Sequence, residues 1–386
     1  MKTFLRVLSY ITTALVAAAV TLYLFTGSLS RASKLEQVES LIKACFIGEA
    51  DMEAAEDAAA EAMVSSLGDR WSYYLNAKDF AAHMEQSENA YVGIGITIAA
   101  DEEGRGFLVL VVQEGSSAQE AGILPGDIVV SAQNQSAQGL SVSELRDLVR
   151  GPEGSTVDIE VLREGQVLPF QVERRQILTP VVSAQLLEGD IGLISIYNFD
   201  SRCAQESIAA IEALREQGAA ALIFDVRNNP GGYATELVTL LDYLLPEGVL
   251  FRSVDYTGKE QVDYSDAAYL DMPIAVVCNQ NSYSAAEFFP AAIQEYGAGT
   301  VVGTPTCGKG YFQYTFQLSD GSGLGLSVGK YFTPQGKSLA EVGIQPDILV
   351  EVDEETDQAI YYGTLAPEND PQIQAAVRAL TKSPNA

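Results

Sequence analysis

Two residues of this chain could form a nucleophile and its base: Ser284 and Lys309, each of which follows a predicted strand. A serine hydroxyl is a weak nucleophile until a neighbouring base takes its proton. That base is usually histidine, but the only histidine, His83, lies far upstream in a polar, helix-like stretch. A lysine can replace it, because burial lowers the pKa of an ammonium group. The pair therefore suggests serine–lysine catalysis.

The loops around this pair also have a purely structural interpretation. Ser284 and Glu287 fit a capping box at the start of a helix. The turn Pro230-Gly231-Gly232 could aim backbone N–H groups at an oxyanion, or could be an ordinary strand-to-helix turn. Ala285 would add an N–H at the positive end of the helix, and Gln313 could orient the lysine amine. Because open α/β sheets place their sites at the carboxyl ends of strands, these loops are expected to meet there.

The composition narrows the class of protein. The chain has 386 residues, 47% of them hydrophobic, which is enough for two or three domains with buried cores. Its 52 acidic and 23 basic residues give a net charge of −29, which argues against a nucleic-acid partner, since such a partner needs a basic face. We predict no metal and no cofactor. The four cysteines, Cys45, Cys203, Cys278 and Cys307, fit no metal-binding spacing. Some of them could form a disulfide, for example Cys278 with Cys307, or all four could stay free.

The amino-terminal region predicts a membrane anchor. Lys2 and Arg6 precede an uncharged stretch, residues 7–27, that is long enough to cross a bilayer as a helix. The rest of the chain would then lie on the extracytoplasmic side of a bacterial cell membrane. A cleaved signal peptide is the alternative. Residues 33–75 show helical spacing, which indicates two helices packed on a neighbouring core or, alternatively, an arm that forms a homodimer.

Residues 91–172 change to short strands, turns and one helix. This segment resembles a PDZ domain: Val92-Gly93-Ile94-Gly95 matches the family's carboxylate-binding loop, and residues 121–127 match its Ala-Gly-(apolar)-x-x-Gly-Asp turn. The glycines let backbone N–H groups converge on an anion, and an extended peptide can add as a strand beside the loop. The resemblance implies that this domain binds the carboxyl-terminal region of a polypeptide.

Residues 177–371 alternate strand-like and helical stretches, which predicts an α/β layered core. Residues 33–380 resemble the carboxyl-terminal processing proteases, serine peptidases of a serine–lysine type. The motifs that carry this resemblance are Gly68-Asp69-x-x-Ser72-x-Tyr74-Leu75, Gly93-Ile94-Gly95, Arg227-Asn228-Asn229-Pro230-Gly231-Gly232, Ser282-x-Ser284-Ala285-x-Glu287, Gly308-Lys309-Gly310 with Gln313, Tyr331-Phe332-Thr333-Pro334-x-Gly336 and Gly343-Ile344-x-Pro346-Asp347.

The resemblance assigns a role to each matching position. Its catalytic roles are Ser284 as nucleophile, Lys309 as general base, Gln313 as the residue that orients the lysine, and Gly231 or Gly232 with Ala285 as the oxyanion donors. It also implies that Arg150, after the PDZ helix, faces the protease core and contacts it when a peptide terminus occupies the Gly93-Ile94-Gly95 loop; the alternative is a solvated charge or a local ion pair. Two departures are visible: Tyr283 and Ala286 replace small residues common in the serine motif, and Pro290 falls inside the following helix.

These inferences lead to one prediction of fold and function. The fold is a mixed α/β protease core with an inserted PDZ domain, itself a small barrel-like α+β fold, and an N-terminal transmembrane helix. The domains are 1–32 (anchor), 33–87 (helical), 88–175 (PDZ) and 176–386 (protease). The function is that of a membrane-anchored serine endopeptidase. The alternatives are a catalytically silent PDZ scaffold, which the intact catalytic positions disfavour, and a small-ester hydrolase, which has no use for a PDZ domain.

Overall fold

The structure, a computed structural model, describes residues 33–381. Contacts divide the chain into two compact units that part between Asn76 and Ala77. The first unit contains helix α1 (Lys34–Cys45), helix α2 (Met52–Ser65) and strand β1 (Tyr73–Leu75). Helix α1 begins with the reciprocal cap of Ser33 and Glu36, and the Tyr74 hydroxyl donates to Asp57 of α2 at 2.6 Å. The two predicted helices are therefore present, while the homodimer stays a prediction.

The second unit begins with helix α3 (Ala77–Ser87), which leads into the PDZ domain. Strand β2 enters the domain and pairs antiparallel with β9, where the chain leaves it. Between them lies an antiparallel sheet in the order β3-β4-β5-β7-β8, with β6 beside β5. The elements are β2 (Ala90–Gly93), β3 (Ile96–Ala100), β4 (Phe107–Val112), α4 (Ser117–Ala121), β5 (Ile128–Ala132), β6 (Gln135–Ser136), α5 (Val142–Val149), β7 (Thr156–Arg163), β8 (Gln166–Glu173) and β9 (Arg175–Leu178).

The protease core is built on a six-stranded sheet in the order β10-β11-β12-β15-β16-β19. From β11 to β19 the strands are parallel, and β10 closes one edge antiparallel to β11. The elements that follow the PDZ domain are β10 (Val182–Leu187), β11 (Ile191–Ile196), α6 (Cys203–Glu216), β12 (Ala221–Asp225), α7 (Ala234–Leu244), β13 (Gly248–Asp255), β14 (Glu260–Ser265), β15 (Ile274–Cys278), α8 (Ala285–Tyr296), β16 (Gly299–Gly303), β17 (Tyr311–Gln317), β18 (Gly323–Phe332), β19 (Ile348–Leu349), α9 (Glu354–Tyr361) and α10 (Pro371–Thr381).

Helices cover both faces of this sheet, as parallel sheets require. Phe224 and Val276 point to one face and pack with side chains of α6, α7 and α8. Ile223 and Val277, each the immediate neighbour of one of these residues in its strand, point to the other face and pack against Ile373 of α10. This arrangement explains why β12 and β15 read as continuous apolar runs in the sequence. The predicted layered α/β core is what the structure contains.

A smaller antiparallel sheet of the core carries the lysine loop. In it β17 pairs with β18, β18 with β13, and β13 with β14. The predicted hairpin is thus the β17–β18 pair, and β17 begins two residues after Lys309. Helix α8 runs through Pro290 without a break. Pro290 is buried in the core, and it has no N–H to donate to the preceding turn of the helix.

One part of the predicted fold class, the N-terminal transmembrane helix, has to be corrected. Residues 33–381 include no helix that is both long and apolar enough to cross a membrane. The segment to which we assigned the anchor, residues 7–27, lies outside the described residues. The extracytoplasmic location and the domain boundaries stay predictions.

All four cysteines are free thiols, two of them buried.

Candidate active site

Ser284 occupies a sharp turn between a strand and a helix. Strand β15 ends at Cys278, helix α8 begins at Ala285, and Ser284 between them has φ 59° and ψ −126°. A non-glycine residue with these angles is strained, and such strain is characteristic of functional sites. A serine at a strained strand-to-helix turn is the arrangement that presents a nucleophilic hydroxyl at the top of a sheet.

Hydrogen bonds pin this turn to the loop after β12. The Ser282 hydroxyl donates to the carbonyl of Val226 at 2.7 Å and accepts the N–H of Asn279 at 3.0 Å. The N–H of Tyr283 donates to the carbonyl of Asn229 at 3.1 Å. Neighbouring loops at the carboxyl ends of two parallel strands are thereby fixed to each other, and the backbone on either side of Ser284 is held in place.

The glycine loop after β12 lies directly against the serine. Gly231 has φ 86°, and a Cβ at that position would lie 2.7 Å from the Cβ of Ser284. Gly232 has φ 149°, and a Cβ there would lie 2.2 Å from the carbonyl carbon of Phe199. Only glycine therefore fits either position. The N–H of Gly231 donates to Oδ1 of Asn229 at 2.8 Å, so in this conformation that donor already has an acceptor.

A buried carboxylate, Glu287, joins the serine turn to the lysine loop. Its Oε2 accepts the N–H groups of Ser284 at 2.9 Å and Lys309 at 2.8 Å. Its Oε1 accepts the Thr306 hydroxyl and the N–H of Gly308, both at 2.6 Å. Glu287 is fully buried, and burial raises the pKa of its carboxyl group while these four hydrogen bonds oppose the rise. One side chain thus sets the position of both predicted catalytic loops.

Lys309 follows Gly308 at the start of the small sheet. The structure places its Nζ 5.7 Å from the centre of the Tyr283 ring, so the amine lies beside the residue that precedes Ser284. A Cβ on Gly310 would lie 2.5 Å from the backbone nitrogen of Ala340, so the loop is pressed against residues 339–343. The fold therefore brings the predicted nucleophile and base to the same edge of the sheet.

Gln313 and Ala285 occupy positions next to this pair. Ala285 is the first residue of α8 and is buried. Gln313 lies on β17 opposite Ser327, to whose hydroxyl its Nε2 donates at 3.0 Å. The strand that starts after Lys309 thus carries Gln313, and the orienting role of Gln313 stays a prediction.

Comparison with known proteins identifies the family. Residues 190–350 match the model of peptidase family S41, and residues 108–163 match that of the PDZ domain. The carboxyl-terminal-processing protease of Synechocystis is 32% identical over 330 residues, which cover 84% of this chain and 76% of that protein. The chain belongs to peptidase family S41. It is a serine peptidase of the carboxyl-terminal processing type, as the motifs predicted.

One further relative agrees with this assignment, and one solved structure shares the fold. The carboxy-terminal processing protease CtpA of Bacillus subtilis is 29% identical over 354 residues, covering 88% of this chain and 76% of that protein. The match to a solved structure of a putative S41 protease from Bacteroides fragilis covers 83% of this peptidase and 90% of the other chain, with a TM-score of 0.51. At 18% identity that structure shows the fold alone.

The PDZ domain of the peptidase contains a groove between β3 and α5 with a volume of about 270 Å³. Apolar side chains line most of it, and the predicted carboxylate-binding loop contributes to the lining. Gly95 in that loop has φ 81°, and a Cβ there would lie 2.4 Å from the Cβ of Ser116. The groove-lining residues include Gly93, Ile94, Gly95, Ile96, Ile98, Leu145 and Val149. Val92 lies at the start of the loop, on β2.

Arg150 lies at the rim of this groove. It ends helix α5, forms an ion pair with Glu85 at 2.7 Å and lies 4.9 Å from the centre of the Tyr91 ring. In this conformation its guanidinium is therefore bound to α3 through Glu85. The predicted contact between Arg150 and the protease core stays a prediction.

Asparagine side chains connect the PDZ domain of the peptidase to the glycine loop. Asn89 and Asn198 exchange two amide hydrogen bonds, at 3.0 and 2.7 Å. Asn198 also accepts the N–H of Asp200 at 3.0 Å. Phe199, which lies between Asn198 and Asp200 in the sequence, donates its N–H to the carbonyl of Gly231 at 2.7 Å. A continuous set of hydrogen bonds thus runs from the entrance of the PDZ domain to the glycines beside Ser284.

Two structural features of the site were missed in the sequence. Glu287 was interpreted as part of a capping box and of the serine motif but not as a link to the lysine loop, although an acidic residue within the apolar first half of the helix was a visible signal. Arg227 is the other: its guanidinium is buried and pairs with Asp225 at 2.6 Å and Asp370 at 2.8 Å. These ion pairs fasten the loop after β12 to the start of α10.

Proposed function

We propose that this S41 peptidase is an endopeptidase that binds the carboxyl-terminal region of a polypeptide in its PDZ groove and cleaves the chain by serine–lysine catalysis. The observation that carries the proposal is Glu287, whose carboxylate binds the backbone of Ser284 and of Lys309 at once. A helix cap needs only the first of these contacts. A shared anchor for both residues is expected where their relative position matters for chemistry.

In the first half of the reaction, Oγ of Ser284 attacks the scissile carbonyl while the free amine of Lys309 takes the hydroxyl proton. The resulting oxyanion accepts hydrogen bonds from backbone N–H groups. We assign these to Ala285 and Gly232, because the N–H of Gly231 already donates to Asn229. Collapse of the intermediate breaks the peptide bond, and the Lys309 ammonium returns its proton to the leaving amine.

The second half frees the enzyme. Water attacks the ester formed between Ser284 and the substrate, and Lys309 accepts a proton from that water. The second tetrahedral intermediate collapses, the Lys309 ammonium returns its proton to Oγ of Ser284, and the product leaves as a carboxylic acid that loses its proton to water. Each step uses only groups at the edge of the core sheet, and Gln313, on the strand that starts after Lys309, is assigned to hold the lysine side chain.

The PDZ groove is the reason for proposing a polypeptide substrate. Its lining is mostly apolar and includes the glycine loop and two arginines, a combination that suits an extended peptide with an apolar tail and a free carboxylate. A small ester would make no use of it. The groove therefore favours a polypeptide as substrate.

The test is hydrolysis of an unfolded protein by the wild-type chain and by Ser284→Ala, with a small activated ester assayed in parallel. We expect wild-type cleavage that Ser284→Ala abolishes, with unchanged circular dichroism. Cleavage of the ester alone would replace the endopeptidase with an esterase. Undiminished hydrolysis by Ser284→Ala would remove Ser284 as nucleophile, and no hydrolysis by either form would favour a silent scaffold.

A further inference from the structure

The carboxylate of Glu85 lies at the mouth of the PDZ groove. Glu85 belongs to α3, the helix that precedes the domain. Its Oε1 accepts the N–H of Val92 at 3.1 Å, and its Oε2 accepts Nη1 of Arg150 at 2.7 Å. The side chains of Arg150 and Glu85 are 35% and 31% exposed, so both are reachable from solvent. A carboxylate of the chain itself therefore bridges the glycine loop and the rim of the groove.

These two contacts are of the kind that a peptide terminus would make. A carboxylate at the end of the groove needs backbone N–H groups of the loop and a nearby cation. Val92 opens the loop, and Arg150 lines the groove together with Arg146, one helical turn earlier. Two arginines at one groove are unusual in a chain with a net charge of −29. Glu85 neutralises one of them.

We propose that Glu85 is an internal competitor of the substrate's terminal carboxylate: the incoming carboxylate displaces Glu85 from Arg150. This inference rests on the proposed function, in which the groove binds carboxyl termini. Glu85 then sets how strongly a free terminus must bind before Arg150 is released from α3. An uncharged terminus gains nothing from Arg150 and leaves the pair intact. The charge of Glu85 thus sets how strongly the groove prefers a free carboxyl terminus over an uncharged one, and it reduces that preference.

The experiment compares two forms of one fluorescein-labelled octapeptide with apolar carboxyl-terminal residues: the free acid and its carboxamide. Binding is measured by fluorescence anisotropy on the full chain carrying Ser284→Ala, with and without Glu85→Gln. Glutamine keeps an oxygen for the Val92 N–H and removes the charge beside Arg150. A partly exposed ion pair is worth about 0.2–1 kcal/mol, so we expect Glu85→Gln to tighten binding of the acid by a factor of about 1.4 to 5. Binding of the carboxamide should not change.

The control is Glu103→Gln, which removes one carboxylate from an ion pair with Arg105 elsewhere on the PDZ domain. It should alter neither affinity. In an Arg150→Ala background the effect of Glu85→Gln on the acid should vanish, because Glu85 then no longer has a partner for which the acid competes. Unchanged or weaker acid binding in Glu85→Gln, or equal changes for acid and carboxamide, would overturn the proposal.

Failure of the proposed function would look different. In that case the wild-type groove would bind acid and carboxamide equally and independently of Arg150→Ala. Mass spectrometry of the peptide after the measurement shows whether it stayed intact. Shortened peptide in the Ser284→Ala background would contradict the nucleophile assignment and leave the ratio of acid to carboxamide affinity as the test of Glu85.

Discussion

Glu287 accepts the backbone N–H of Lys309 at 2.8 Å from a helix that begins one residue after Ser284. Ser284 and Lys309 lie on different loops of the core, and a backbone hydrogen bond from the N–H of Cys307 to the carbonyl of Ser282, at 3.1 Å, also joins these loops. The Glu287 contact fixes the position of Lys309 relative to the turn that carries Ser284. The rate of catalysis should therefore depend on this contact.

Glu287→Gln should lower kcat much more than it raises KM. The amide keeps the shape of the side chain, but its NH₂ group must face at least one of the four donors that Glu287 now accepts. Loss of one charge-assisted hydrogen bond of about 1.5–3 kcal/mol should lower kcat about tenfold or more. Steady-state kinetics on an unfolded protein substrate measures this.

The matched control is Glu295→Gln on the same helix. Glu295 is also hydrogen-bonded, to Thr333 and Gln335, but away from both catalytic loops. It should change thermal stability with little effect on kcat. If both variants lost kcat in proportion to their loss of stability, Glu287 would be a core residue without a positioning role.

Asn198→Ala should uncouple the PDZ domain from the glycine loop. Asn198 holds Asn89 and the N–H of Asp200, and the intervening Phe199 binds the carbonyl of Gly231. We expect kcat to fall about tenfold through misplacement of the glycines, while peptide binding to the PDZ groove is unchanged. Gln171→Ala, which removes an exposed amide contact on the PDZ domain, is the control. Normal kcat in Asn198→Ala would show that these hydrogen bonds do not position the loop.

Asp200 should make stability depend on pH. Burial, helped by the nearby charges of Glu236 and Glu88, raises its pKa from 3.8 to about 7. Between these values the folded chain holds a proton that the unfolded chain releases, so this contribution to stability falls as pH rises toward 7. Asp200→Asn lacks the titration and should gain stability relative to wild type between pH 5 and pH 8.

Urea unfolding at the two pH values measures this difference. Asp271→Asn, at an exposed position of the core, should show no such relative gain. If Asp200→Asn followed the wild-type pH dependence, Asp200 would titrate as an ordinary surface carboxylate.

The sequence predicts those parts of the site that depend on local pattern. Strands β12 and β15 are continuous apolar runs, and glycine, proline and asparagine mark the loops after them, so the positions of Ser284 and Gly231 follow from strand ends. The contacts missed in the sequence join distant segments: Asn89 and Asn198 are 109 residues apart. Such pairs carry no local signal, because a polar residue in a loop looks the same with or without a partner. The same holds for Glu85 and Arg150.

The central claim is that Lys309 is the general base for Ser284, and the variant Lys309→Arg tests it most directly. Arginine keeps the positive charge but does not deprotonate in a protein, so it cannot accept the serine proton. Since general-base catalysis contributes about 10²–10⁴ in rate, Lys309→Arg and Lys309→Ala should both lower kcat by about that factor. Substantial turnover by Lys309→Arg, with Lys309→Ala inactive, would show that the site needs the charge of Lys309 and not its lone pair.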